Sequence, residues 1–165
     1  RSVSRRGWCW LKRSSGDAVV TRLDHPLQPL QLRSSETGAF LGMMNSDAAL
    51  LIPGVPGPYD TTGVGYSAAA ARLSFLLDLR GPALVVDTAC SGALVALHLA
   101  SRELDAAPEA AALAGTLVDA SLSRVFARGG LLSPRGRCHA FDGRADGYCR
   151  GEGCGSVMLQ RDVGD

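Results

Sequence analysis

Ala83-Leu84-Val85-Val86-Asp87-Thr88-Ala89-Cys90-Ser91-Gly92-Ala93-Leu94-Val95-Ala96-Leu97 changes character halfway along. Its first part is short, apolar and β-branched, which suits a strand. Its second part carries small and straight-chain apolar residues, which suits a helix. Cys90 stands where the one gives way to the other. A strand that delivers a cysteine to the start of a helix places the sulfur near backbone N–H groups without intrahelical partners. The positive end of a helix dipole favours a thiolate there. Such a sulfur can serve as a nucleophile, although most free cysteines are structural. Residues 93–100 are apolar nearly all round, so the spacing predicts a buried helix.

Working outward, alternating strands and helices are expected. Residues 40–44 read as a strand, and the prolines and glycines of residues 52–58 as a loop. Ser67 can cap a helix that runs through Ala71 and Phe75 to about Leu79, where Gly81-Pro82 stops it. The helix after Cys90 should end near Glu103-Leu104. Residues 111–115 read as a buried strand, residues 122–127 as helix and residues 156–160 as a returning strand. No internal repeat is present. This alternation predicts a sheet covered by helices.

The chain has 165 residues and a formal charge of +1, so no global field points to nucleic acid or membrane. No apolar run is long enough to span a bilayer. Its five cysteines lack regular spacing, which argues for reduced thiols and an intracellular, cytoplasmic setting. Residues 1–36 differ from the rest. Arg1, Arg5, Arg6, Lys12 and Arg13 precede the first acid, Asp17, with Trp8 and Trp10 among them. Such a start reads as a solvated tail outside the fold, as a transit peptide to a plastid or other organelle, or as a basic arm. Residues 1–36 are therefore set apart from a partial domain over 37–165.

The stretch from Gly81 to Ala100 closely resembles the nucleophile segment of β-ketoacyl synthases, above all the ketosynthase domains of polyketide synthases. Thr37-Gly38-Ala39-Phe40-Leu41-Gly42-Met43-Met44 and Ala71-Arg72-Leu73-Ser74-Phe75 agree upstream. Downstream, Leu132-Ser133-Pro134-Arg135-Gly136-Arg137-Cys138, Phe141-Asp142 and the run from Ala145 to Gly155 agree in the same order. Before Thr37 only a faint echo is found, Leu23-Asp24-His25-Pro26-Leu27-Gln28.

The resemblance implies the thiolase-like layered α/β/α fold, of which this chain would hold the N-terminal half. It implies an acyltransferase in which Cys90 accepts an acyl group from the phosphopantetheine arm of an acyl carrier protein, with no other cofactor. A malonyl-type thioester then loses carbon dioxide and its enolate attacks the acyl-cysteine. The parent would be a polyketide or fatty acid synthase working as a homodimer. Two histidines in later His-Gly-Thr and Gly-His motifs assist that step in the family; neither motif occurs here. If the natural product ended at Asp165, the chain would be a non-catalytic dimerisation or carrier-binding piece.

The histidines present do not replace them. His98 lies about 12 Å beyond Cys90 along a helix rising ~1.5 Å per residue, and is expected to be packed in the core. His139 falls in a loop, and His25 in the poorly matched region. A serine hydrolase using Ser91 with Asp119 and His139 has the right chain order, but Ala89 and Ala93 occupy positions where glycine relieves a nucleophile elbow. Gly151-Glu152-Gly153-Cys154-Gly155 precedes a strand instead of following one, so it is no nucleotide loop. It is expected to form a tight turn, with Asp146, Arg150 and Glu152 as buried or half-buried polar support. Cys138, Cys149 and Cys154 match no common zinc spacing.

Overall fold

The computed structural model describes residues 9–14, 17–22, 32–44, 57–106, 109–116 and 120–161. The chain divides into two compact units, Arg1–Ala114 with Gly155–Asp165, and Gly115–Cys154.

The first unit is built on a six-stranded sheet. Its strands are β1 (Cys9–Ser14), β2 (Asp17–Arg22), β3 (Gly38–Gly42), β4 (Ala83–Val86), β5 (Glu109–Thr116) and β6 (Gly153–Arg161), in the spatial order β2-β1-β6-β5-β3-β4. β3 pairs in parallel with both β4 and β5, and β1 in parallel with β6. β2 is antiparallel to β1 at one edge. Parallel pairing needs crossovers, and helices supply them. The α/β class expected from the sequence is therefore met.

β1 and β2 fall within residues 1–36, which the sequence reading left outside the fold. The signal was weak but physical: the β-branched run Val19-Val20-Thr21 follows Ser15-Gly16, a turn dipeptide between two short segments. The arginines around them masked the pattern. Residues 1–8 and 23–31 lie outside the described residues, as do residues 52–56 of the expected loop.

Among the described residues between β3 and β4 lie the helices α1 (Asp60–Val64) and α2 (Tyr66–Leu77). Neither end of α2 is where the sequence suggested. Gly65 and not Ser67 is the N-cap, because α1 leads directly into the helix and the Gly65 N–H still bonds to Thr61. The C-terminus comes before Gly81-Pro82. Asp78 takes a left-handed φ of 52°, and the Leu79 N–H returns to the Ser74 carbonyl at 2.8 Å. That is the closure a glycine usually provides. Aspartate tolerates this backbone, and Ser34 holds its carboxylate at 2.6 Å.

After β4 comes α3 (Gly92–Glu103), which ends where expected and packs on β3. Phe40 of β3, Ala96, Ala100 and Leu104 of α3 and its end, and Leu159 of β6 form the core, with Leu97, Leu99 and Val157 packed against it. Small residues on α3 let the helix lie close over the Phe40 ring. The expectation of a helix buried all round is not met. Gly92, Ala96 and Ala100 are buried, whereas Leu94 is 71% exposed and His98 is exposed rather than packed. One face of α3 meets the sheet, and a helix buries only the stripe that faces its support. Among the described residues no helix is long and apolar enough to cross a membrane.

The second unit contains α4 (Ala120–Arg128) and a long irregular strap, residues 129–152. Strand β6 begins at Gly153, so the expected tight turn over residues 151–155 does not form. A Cβ added at Gly151, Gly153 or Gly155 would meet nothing within 4 Å. These glycines occupy open, extended backbone, and no close packing demands them.

Candidate active site

The junction from β4 to α3 carries the residue singled out first. Cys90 is a free, exposed thiol immediately before Ser91, the N-cap of α3. It thus precedes the first helical turn instead of lying in it. Short hydrogen bonds hold the chain on both sides. The Ala89 N–H donates to Asp87 Oδ1 at 3.0 Å, an Asx turn. The Ser91 N–H and Oγ both donate to the Thr88 carbonyl, at 3.3 and 2.8 Å. The Gly92 N–H donates to the Ala89 carbonyl at 3.0 Å. Ala89 adopts a φ of 53°, a left-handed backbone that costs an L-residue roughly 1–2 kcal/mol.

The same junction is pressed against the end of β3. A Cβ at Gly42 would lie 2.5 Å from the Ala93 nitrogen and the Gly92 carbonyl carbon, so only glycine lets the helix start approach this strand. The Met43 N–H continues the register by donating to the Val86 carbonyl at 3.1 Å. Two glycines far apart in sequence therefore set where α3 begins. Nothing local in either segment signals that they meet.

The remaining sequence candidates are placed as follows. Ser91 Oγ spends its donor on Thr88, with Thr88 Oγ1 also 2.9 Å away, and no imidazole bonds to it among the described residues. Asp119 and His25 lie outside the described residues. His139 is half-buried in the strap, with a φ of 47°. Asp146 is exposed, not buried support. It pairs with Arg135 at 2.9 Å, and hydrogen bonding from Ser133 and then Arg135 holds its carboxyl below the usual carboxylate range. Glu152 is exposed as well. Arg150 is half-buried, as expected: its guanidinium donates to Ser123 Oγ at 2.9 Å and lies 5.2 Å from the centre of the Phe126 ring. Among the described residues no group of three potential ligands could hold a metal ion.

With Cys90 placed at the strand-to-helix junction of a parallel sheet, comparison with known proteins gives the family. The chain belongs to the β-ketoacyl synthase family: the description "Beta-ketoacyl synthase, N-terminal domain" matches residues 23–163. It is 41% identical over 141 residues to a mycocerosic acid synthase-like polyketide synthase of Mycolicibacterium smegmatis, covering 82% of this chain and 7% of that protein. A mycocerosic acid synthase-like polyketide synthase of Mycobacterium tuberculosis is 43% identical over 141 residues, again covering 82% and 7%.

Among solved structures it resembles the module 6 ketosynthase of the bacillaene synthase from Bacillus subtilis 168. The TM-score is 0.71 at 33% identity, covering 81% of this chain and 23% of that one. An oxazolomycin ketosynthase domain from Streptomyces albus JA3453 gives a TM-score of 0.68 at 34% identity, covering 81% and 25%. The resemblance read from the sequence is thus met, in family and in fold. The chain spans less than a tenth of the curated relatives and about a quarter of the ketosynthase structures.

Proposed function

We propose that this chain carries the nucleophile segment of a polyketide-type condensing enzyme, with Cys90 as its acyl acceptor. The observation that supports this reading above others is the exposed Cys90 thiol on a junction locked by its neighbours. A rigid backbone holds the sulfur without further ordering during reaction. The Cys90 thiolate attacks the carbonyl of an acyl thioester on the phosphopantetheine arm of an acyl carrier protein. The carbon–sulfur bond to the arm breaks, and the arm leaves as a thiol after taking a proton. The Cys90 backbone N–H serves as one donor to the tetrahedral oxyanion. A malonyl-type thioester then loses carbon dioxide, and its enolate carbon displaces Cys90 from the acyl group. The family's histidine motifs act at this second stage, and Cys90 at the first.

Incubation of the full chain with a short acyl thioester, followed by peptide mapping, tests the assignment. We expect acylation at Cys90 and protection of that thiol from iodoacetamide. Cys90→Ala should take up no acyl group while keeping the far-ultraviolet circular dichroism of the parent. Equal acylation of the Cys90→Ala protein would sink the proposal. Uptake lost in Ser91→Ala but kept in Cys90→Ala would favour the hydrolase alternative.

A further inference from the structure

Cys138 and Cys149 meet across the base of one loop in the second unit. The Cys149 backbone N–H donates to the Cys138 sulfur at 3.2 Å, and that sulfur lies 3.9 Å from the Cys149 carbonyl oxygen. The Cys149 thiol turns instead to the Arg150 carbonyl, at 3.5 Å. Both thiols are free and exposed.

The backbone beside them is pinned. The Ser133 N–H donates to the Tyr148 carbonyl and the Tyr148 N–H to the Leu131 carbonyl, each at 3.0 Å. Gly147, with a φ of 132°, makes this approach, since a Cβ there would lie 2.5 Å from the Ser133 nitrogen. Arg135, just before Cys138, bonds Asp146 and the Arg144 carbonyl, and Arg144 bonds Asp142.

A disulfide needs Cα atoms within about 7 Å and side chains that converge. The Cys138 side chain already rests on the backbone of Cys149. Closure requires the Cys149 sulfur to leave the Arg150 carbonyl and turn towards Cys138 by rotation about its Cα–Cβ bond. We infer that Cys138 and Cys149 form a dithiol pair that closes into a disulfide by exchange with a small-molecule disulfide of the glutathione type.

In the first step the Cys149 thiolate attacks one sulfur of the oxidant, and one glutathione leaves as its thiolate. In the second the Cys138 thiolate attacks the Cys149 sulfur of the mixed disulfide, and the second glutathione leaves. Two cysteine thiols are oxidised, one disulfide is reduced, and both protons pass to the departing thiolates. The product staples the loop that carries the fully exposed Phe141.

Trypsin separates the participants cleanly, because Arg137, Arg144, Arg150 and Arg161 put Cys138, Cys149 and Cys154 in three different peptides. The full chain is equilibrated with glutathione disulfide, quenched with acid and mapped by mass spectrometry. We expect peptides 138–144 and 145–150 to be joined and two hydrogens lighter than the free pair. This product should exceed any joined to peptide 151–161 by about tenfold, since native proximity sets the effective concentration. Cys138→Ser should instead accumulate the mixed disulfide at Cys149. If that variant fails to fold, the map of the unmutated chain still decides. Persistent glutathione adducts on both cysteines, a partner other than Cys149 for Cys138, or the same yield in urea-unfolded chain would each overturn the inference.

Discussion

The β4–α3 junction and the strap of residues 129–152 are both irregular chain, yet different forces hold them. At the junction, backbone meets backbone: Gly42 admits the start of α3, and the Thr88–Ser91 and Ala89–Gly92 bonds close the turn. Beneath it lie Phe40, Ala96 and Ala100. In the strap, exposed charges carry much of the order, through Arg135–Asp146 and Arg144–Asp142 at 2.9 and 2.6 Å. The first device relies on excluded volume and apolar burial, which do not respond to protons, apart from the one Asp87 carboxylate that accepts the Ala89 N–H. The second relies on ionised partners, which do. A site that must hold a nucleophile steady is better served by the first.

The comparison breaks most readily at the core. Phe40→Ala should cost about 3–5 kcal/mol, the usual range for emptying a buried aromatic site, measured as a fall in the urea midpoint. Hydrogen exchange should then rise across residues 83–104. If the strap amides at Ser133 and Tyr148 lose protection equally, the two regions form one cooperative unit and the contrast fails.

Next comes Gly42→Ala, whose methyl would press on the Gly92–Ala93 backbone. Overpacking of that kind costs about 1–3 kcal/mol. It should also change the iodoacetamide rate at Cys90, since the helix start must move. An unchanged rate together with unchanged stability would show that the junction is not packing-held.

A smaller effect is expected from Ala89→Gly. Relief of the left-handed φ gains about 1 kcal/mol, and the extra freedom of the unfolded chain offsets most of it. The urea midpoint should stay within about 1 kcal/mol of the parent; a larger loss would mean that the Ala89 methyl makes contacts of its own.

The last test separates the regions by pH. Asp142 is held below its ordinary range by the Arg144 side chain and then the Arg144 backbone N–H, and Asp146 by Ser133 and then Arg135. A carboxylate with a lowered folded pKa contributes its stabilisation fully above the unfolded value, about 3.9. It loses the contribution as pH falls through the folded value. Strap amides should therefore exchange faster, relative to an unfolded reference, as pH drops below about 4, while the junction amides of Ser91 and Gly92, which donate to carbonyls, keep their protection factors. Asp146 is exposed and Asp142 half-buried, so the effect should be local and should weaken with added salt.

Much of the fold was legible because the elements that mattered were locally consistent. The apolar run of β4, the small-residue helix after it and the Ser156–Gln160 strand each announced themselves by composition over a short span. Element ends were less legible. Asp78 terminates α2 because Ser34 anchors it, and Ser34 lies far away in sequence. The burial of α3 was overstated because an apolar helix carries no mark of which face meets the sheet. The residue type of Arg150 suggests a supporting role, while its actual partners, Ser123 and the Phe126 ring, come from helix α4.

By itself the sequence determined the class of the chain, its family and the cysteine at the strand-to-helix boundary, because these rest on local pattern and residue order. Only the tertiary structure decided that Gly42 sets the start of α3, that Asp146 is an exposed ion-pair partner, and that Cys138 rests on Cys149. Each of those facts is a meeting of residues that are not chain neighbours, eleven positions apart in the two strap pairs and far further at Gly42 and Gly92. Close packing admits one such arrangement and excludes its neighbours by fractions of an ångström, and no local run of residues encodes that.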